Sequence, residues 1–151
     1  MKTSDTVVLF DTNILIHAQN TDSPHHKKAI ELHKEVFEGK IKAVLSAQNL
    51  LEFYSEVTNP KRLVKPLTSS FAISEIKKYL KKANFRIIKT KGNELELLLN
   101  LVKDQNVRGV GVFDVYLMAT MLSNGIKTIY TQNEKDFKIF KEIKVINPFK
   151  T

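Results

Sequence analysis

The chain has 151 residues and a mass of 17.3 kDa, with 42% apolar and 26% charged side chains, which suits one soluble domain, residues 1–151, with a single sizeable core. It has no cysteine, which excludes disulfides, thiolate zinc sites and a cysteine nucleophile and fits a reducing cytoplasm; no stretch approaches the ~20 apolar residues of a membrane span, and the apolar run before Asp11 is too short for a signal peptide. With 24 Lys and Arg against 16 Asp and Glu, the net charge of +8 favours phosphate-rich partners.

Residues 6–10 read as a buried strand. Residues 12–20 follow as a short helix, then 24–38 as a longer one with Ala29, Leu32, Val36 and Phe37 on one face, stopped by Gly39. Residues 42–46 form a second strand, and 47–58 a helix that ends before Pro60. A basic connector, 61–66, leads to a helix over 69–82, with Ile73, Ile76, Tyr79 and Leu80 inward and Lys77, Lys78, Lys81 and Lys82 outward. Residues 85–89 are a third strand and 93–105 a helix. A loop carrying Gly109 and Gly111 precedes 112–123, a helix apolar almost all round and therefore central, capped by Asn124 and Gly125. Residues 126–131 are a fourth strand, 134–140 a short helix and 143–146 a fifth strand. Strands alternating with helices imply right-handed crossovers and a largely parallel sheet covered on both faces. Ligands of such sheets bind beyond the carboxyl ends of the strands.

Acids recur at the ends of the apolar runs. Asp11 follows the first strand, Glu52 follows the second, Asp114 interrupts the apolar stretch Val112–Ala119, and Asp136 follows the fourth strand, with Thr131 and Asn133 at that strand's tip. Carboxylates gathered there are what a divalent cation needs. Each has a plainer reading. Asp-Thr-Asn after a strand is good helix-cap chemistry for Asp11. Asp114 shares a helical face with Met118 and Met121, where a carboxylate is costly unless paired or bound to a cation, yet it too is placed to cap a helix. Glu52 lies nearly opposite the inward face formed by Leu50, Phe53, Tyr54 and Val57 and by pattern alone is solvated. Asp136 sits in a polar segment and by itself reads as surface. His17, His25, His26 and His33 show no metal-ligand spacing and read as surface or packing residues. No phosphate-cradling or nucleophile-elbow glycine motif occurs.

Taken in order, these pieces resemble the PIN-domain ribonucleases, and among them the VapC-type toxins of toxin–antitoxin pairs. The residues that carry the resemblance are Val8-Leu9-Phe10-Asp11-Thr12-Asn13, Ser46 with Glu52, Phe113-Asp114-Val115-Tyr116-Leu117-Met118-Ala119, Ile129-Tyr130-Thr131-Gln132-Asn133 with Asp136-Phe137, and the closing Val145-Ile146-Asn147-Pro148-Phe149. The resemblance implies an α/β fold, a three-layer α/β/α arrangement around a five-stranded, mostly parallel sheet. It also implies an endoribonuclease whose acids hold Mg²⁺ or Mn²⁺. Asp11 and Asp114 map to the firmest metal ligands and Glu52 to the second acid. The fourth position of the family is often Asp, where this chain has Asn133; Asp136 is the acid available to substitute.

Under that resemblance a cation at Asp11, Asp114 and Glu52 would activate water for in-line attack on phosphorus, with Asn13 and Thr131 positioning a carboxylate or a water. The products implied carry 5′-phosphate and 3′-hydroxyl ends. Lys61, Arg62, Lys65, Lys89, Lys91 and Arg108 are candidates to track the RNA backbone, against the plainer reading that they are solvating charges. The expected partners are RNA, a cognate antitoxin and a second copy in a homodimer. A dehalogenase-like phosphatase would need Asp where Asn13 stands, and a phosphoacceptor receiver would need paired acids before Asp11. A catalytically weak PIN scaffold that only binds RNA or protein is the alternative that Asn133 leaves open.

Overall fold

Val8 and Phe10 face one side of the sheet and Leu9 the other, the two-residue alternation of a strand, and each side has its own core. The structure is a computed structural model that describes residues 6–81, 84–108 and 111–150. The residues before Thr6, the outward Lys82 and the loop residue Gly109 of the sequence reading lie outside the described residues.

The elements run β1 (Val7–Phe10), α1 (Thr12–Gln19), α2 (His26–Phe37), β2 (Lys42–Ser46), α3 (Ala47–Val57), α4 (Ser69–Lys81), β3 (Phe85–Ile88), α5 (Glu94–Gln105), α6 (Gly111–Ser123), β4 (Thr128–Tyr130), α7 (Glu134–Phe137) and β5 (Lys144–Ile146). The five strands lie in the order β3-β2-β1-β4-β5. Every pairing is parallel, so the expected mostly parallel sheet is parallel throughout. Leu9 at the centre of β1 pairs with Val44 of β2 and Ile129 of β4. β1 is therefore the middle strand, and its carboxyl end is flanked by those of β2 and β4.

On one face Phe10, Ala43, Leu45 and Phe85 pack against α1, α2, α3 and α4 through Ile14, Leu32, Phe53 and Ala72. On the other, Leu9, Val44, Ile88 and Ile129 pack against α5, α6 and α7 through Leu98, Met118 and Phe137. Full burial of each large side chain stabilises by about 1.5–3 kcal/mol. α6 is buried on most sides, as its composition predicts, with Val115, Leu117, Met118, Ala119, Thr120 and Met121 all inaccessible. It stops in a left-handed turn at Gly125, φ 71°, where the Ile126 amide returns to the Met121 carbonyl at 2.9 Å, a closure that favours glycine.

Two faces differ from the sequence reading. In α4, Ile73 and Leu80 are exposed, while Ala72, Ile76 and Tyr79 meet the core. The inward face therefore runs through Ala72, Ile76 and Tyr79, turned by about one position from the expected one. In α2, His33 takes an inward place beside Ala29, Leu32 and Val36, and Phe37 is on the rim. The His33 ring bonds the Ala29 carbonyl and the Tyr79 hydroxyl, each at 2.8 Å, so its polar atoms are satisfied within the core.

Candidate active site

Asp11 is the first residue beyond β1 and caps α1. Its Oδ1 accepts from the Thr12 amide at 2.8 Å, and its Oδ2 accepts from the Thr131 hydroxyl at 2.7 Å and from the Asn13 side-chain amide at 3.2 Å. The capping reading of Asp11 therefore holds, because a strand that ends at the sheet edge hands its next carboxylate to the following helix. Asp11 is buried, Thr131 wholly so. Their backbones meet through the neighbouring strands: the Asp11 amide bonds the Tyr130 carbonyl, and the Thr131 amide bonds that of Ile146, both at 2.9 Å. Asn13 closes the node, donating to Thr131 Oγ1 at 3.2 Å and accepting from the Gln132 amide at 3.2 Å.

α3 brings Glu52 to the same place. Ser46, the last residue of β2, caps this helix in a reciprocal box with Asn49. Asn49 is wholly buried and its side chain also reaches Thr12 Oγ1 at 3.2 Å. The Thr12 hydroxyl donates to Glu52 Oε2 at 2.8 Å, and the Gln48 amide donates to Glu52 Oε1 at 2.9 Å. Glu52 is thus half-buried beside α1, not solvated as the apolar pattern alone suggests. The buried arc of α3 continues from Phe53 onto polar Asn49, one turn before Glu52, and a reading that tracks only apolar residues cannot see that extension.

Asp114 projects from the first turn of α6 and is half-buried; Asp136 lies in α7 and is exposed. Burial pushes the Asp114 carboxyl up to about 7, aided by repulsion from Asp11, Asp136 and Glu52. Burial likewise pushes Asp11 up to about 6, with Glu52 and Asp136 adding to the rise and the bonds from Thr131 and Thr12 opposing it. Among the described residues the groups that act on Asp114 from a distance are carboxylates and none is a cation. Four carboxylates, Asp11, Glu52, Asp114 and Asp136, thus act on one another around the buried Asp11, a costly arrangement of the kind that marks candidate functional sites.

The donors are hard oxygens and suit a hard divalent cation, whose charge would relieve the repulsion. Among the described residues no three acidic, imidazole or thiol groups stand close enough together to hold a metal ion as they are placed. The ligands expected from the sequence are Asp11, Asp114 and Glu52, and both Asp11 oxygens are oriented by hydrogen bonds.

The remaining candidates are placed as follows. Asn133 is exposed; its amide bonds Thr131 Oγ1 at 3.0 Å, while its side chain does not cap α7. Lys89 and Lys91 follow the carboxyl end of β3, and exposed Arg108 precedes α6. Lys61, Arg62 and Lys65 follow α3, and Arg62 Nε lies 3.5 Å from Glu56 Oε2. His17 bonds Ser23 and Gln132, each at 2.6 Å, and packs with His25 against Phe149. Sequence reasoning gave no role to Thr12, Gln48 or Asn49. The available signals were Thr12 inside the Asp-Thr-Asn run and Gln48 one helical turn before Glu52.

Comparisons with known proteins agree with this geometry. The PIN domain family model matches residues 8–144. Ribonuclease VapC48 of Mycobacterium tuberculosis is 29% identical over 140 residues, covering 93% of this chain and 96% of the relative. Ribonuclease VapC24 of the same organism is 26% identical, covering 91% and 94%. Among solved structures, M. tuberculosis VapC20, described as a Sarcin-Ricin loop cleaving toxin, superposes with a TM-score of 0.64 at 16% identity, covering 90% of this chain and 98% of its own. VapBC-1 of nontypeable Haemophilus influenzae gives a TM-score of 0.64 at 17% identity, covering 96% and 100%. At such identities the superpositions establish the shared fold.

Proposed function

The chain belongs to the PIN domain family, and we propose that it is a divalent-metal-dependent endoribonuclease, the toxin of a toxin–antitoxin pair, acting with Mg²⁺ or Mn²⁺. The observation that carries this reading is the Asp11 node: a buried carboxylate fixed by Thr131 and Asn13, with Glu52 and Asp136 near enough to raise its affinity for protons. The comparisons support the rest, since relatives along nearly the whole chain are named ribonucleases.

A cation held by Asp11, Asp114 and Glu52 would supply an activated water and offset charge on the phosphoryl oxygens. Asp11 is kept in one rotamer by three donors, so its unshared lone pairs are pre-aimed. Thr12 and Gln48 hold the two oxygens of Glu52 from opposite sides, which leaves that carboxylate to orient a water or accept its proton. Asn13 ties the end of β1 to the end of β4. Asp136, whose charge acts on both Asp11 and Asp114, would stand in for the fourth family position occupied here by Asn133. Lys61, Arg62, Lys65, Lys89, Lys91 and Arg108 would attract the RNA backbone.

An antitoxin partner is supported by structural relatives that are themselves toxin–antitoxin complexes, including one from Klebsiella pneumoniae. A homodimer in the cytoplasm completes the proposal; among the described residues no helix is long and apolar enough to cross a membrane. The test is cleavage of labelled single-stranded RNA and tRNA with Mg²⁺, Mn²⁺ or EDTA, comparing wild type with Asp114→Asn. Metal-dependent cleavage lost in the folded variant is expected, with 5′-phosphate and 3′-hydroxyl product ends. Cyclic phosphate ends would refute the water-attack route, and metal-supplied wild type that cleaves no RNA would favour the scaffold alternative.

A further inference from the structure

Gln48 is the second residue of α3, one helical turn before Glu52. Its amide nitrogen donates to Glu52 Oε1 at 2.9 Å and to the backbone carbonyl of Phe113 at 3.0 Å. Both neighbours are acceptors without protons to give, so the nitrogen must face them and the amide oxygen must face away. That oxygen is buried and, among the described residues, meets no donor. Packing alone does not account for this arrangement, because a methionine of similar shape would fill the space without stranding a buried acceptor. The amide is useful for its two donated bonds. One ends on the acid of α3, the other on the residue next to Asp114 in the first turn of α6. These bonds tie two helices that pack on opposite faces of the sheet.

We propose that Gln48 is a positioning residue of the metal site, tying the Glu52 carboxylate to the turn that carries Asp114 so that the two acids can be drawn onto one divalent cation. Thr12 anchors the other Glu52 oxygen to α1, so Gln48 is the half of the clamp that faces Asp114. The role rests on the metal-dependent reading given above. Removing hydrogen-bond partners of metal ligands commonly weakens metal binding about 10–100-fold.

The test is Mn²⁺ affinity of the purified protein, read from the electron paramagnetic resonance of free Mn²⁺, for wild type, Gln48→Met and Gln48→Glu, with metal-free melting of each. Binding about tenfold weaker in both variants is expected, with Gln48→Met melting at or above wild type because the stranded oxygen is gone. Gln48→Glu separates positioning from charge: an added carboxylate that acted only as charge would tighten binding. Unchanged or tighter binding in either variant overturns the role, as does a loss in Gln48→Met that merely tracks a lower melting temperature. Wild type that binds no Mn²⁺ would instead overturn the metal reading itself, and the role with it.

Discussion

The hydroxyl of Thr12 donates to Glu52 Oε2 at 2.8 Å across 40 positions of sequence, and Thr12 Oγ1 in turn accepts from the Asn49 side-chain amide at 3.2 Å. One atom therefore joins the start of α1 to two side chains of α3. Since Thr12 directly follows Asp11, whatever fixes Glu52 through Thr12 also fixes its distance from Asp11.

Thr12→Val keeps the side-chain shape and removes both bonds. It also strands the wholly buried Asn49 amide, a cost of about 1–3 kcal/mol. Thermal melting should show that loss, and RNA cleavage should fall about tenfold in kcat with KM little changed. Thr12→Ser should retain most of both. Full activity in Thr12→Val would show that the Glu52 carboxylate needs no such anchor.

Asp11 at about 6 and Asp114 at about 7 both stand above the ordinary 3.8. The fold then binds protons more tightly than the unfolded chain, so these groups make metal-free stability fall as pH rises between about 4 and about 7, and level out above. Asp114→Asn removes the larger shift. Without metal the variant should melt several degrees above wild type at pH 7.5, with the two converging near pH 4.5. Saturating Mg²⁺ or Mn²⁺ should raise wild type more than the variant. Equal melting temperatures for the two proteins at pH 7.5 in EDTA would place the repulsion elsewhere.

Asp136 raises the proton affinity of both Asp11 and Asp114, whereas the Asn133 side chain is exposed and caps nothing. Asp136→Asn should therefore reduce cleavage about tenfold and shift the metal titration to higher concentration. Asn133→Ala should change either by less than about threefold. The reverse ranking, read from the same titrations, would make Asn133 the fourth site residue.

Lys89 and Lys91 follow the carboxyl end of β3 and Arg108 precedes α6, the helix that carries Asp114, while Arg62 is drawn towards Glu56. If each contacts one phosphate, neutralising it should lower the slope of log Kd against log salt by about 0.7 for single-stranded RNA. The comparison is Lys89→Gln, Lys91→Gln and Arg108→Gln against Lys61→Gln and Arg62→Gln, measured by fluorescence anisotropy on the Asp114→Asn background to prevent cleavage. The first three should lower the slope and the last two should leave it nearly unchanged. An undiminished slope in all five would leave these residues as solvating charge.

By itself the sequence determined the alternation of strand and helix, because apolar runs of four to six residues and faces of helical period are local signals. It also set Asp11 at the end of β1, since a single residue separates the run Val7–Phe10 from the helix that follows. Only the tertiary structure decided which face of α3 counts as buried. Glu52 looks solvated until α1 lies alongside and Thr12 reaches it, and that contact depends on β1 and β2 pairing in register. The same holds for Thr131, whose hydroxyl meets Asp11 from 120 positions away because β4, distant in sequence, pairs with β1 on the side opposite β2. Gln48 has no apolar period or motif to mark it; its two bonds exist only once α3 and α6 are brought together. Local pattern fixes elements, whereas hydrogen bonds between side chains far apart in sequence are set by strand order and helix docking, and it is those bonds that shape the site.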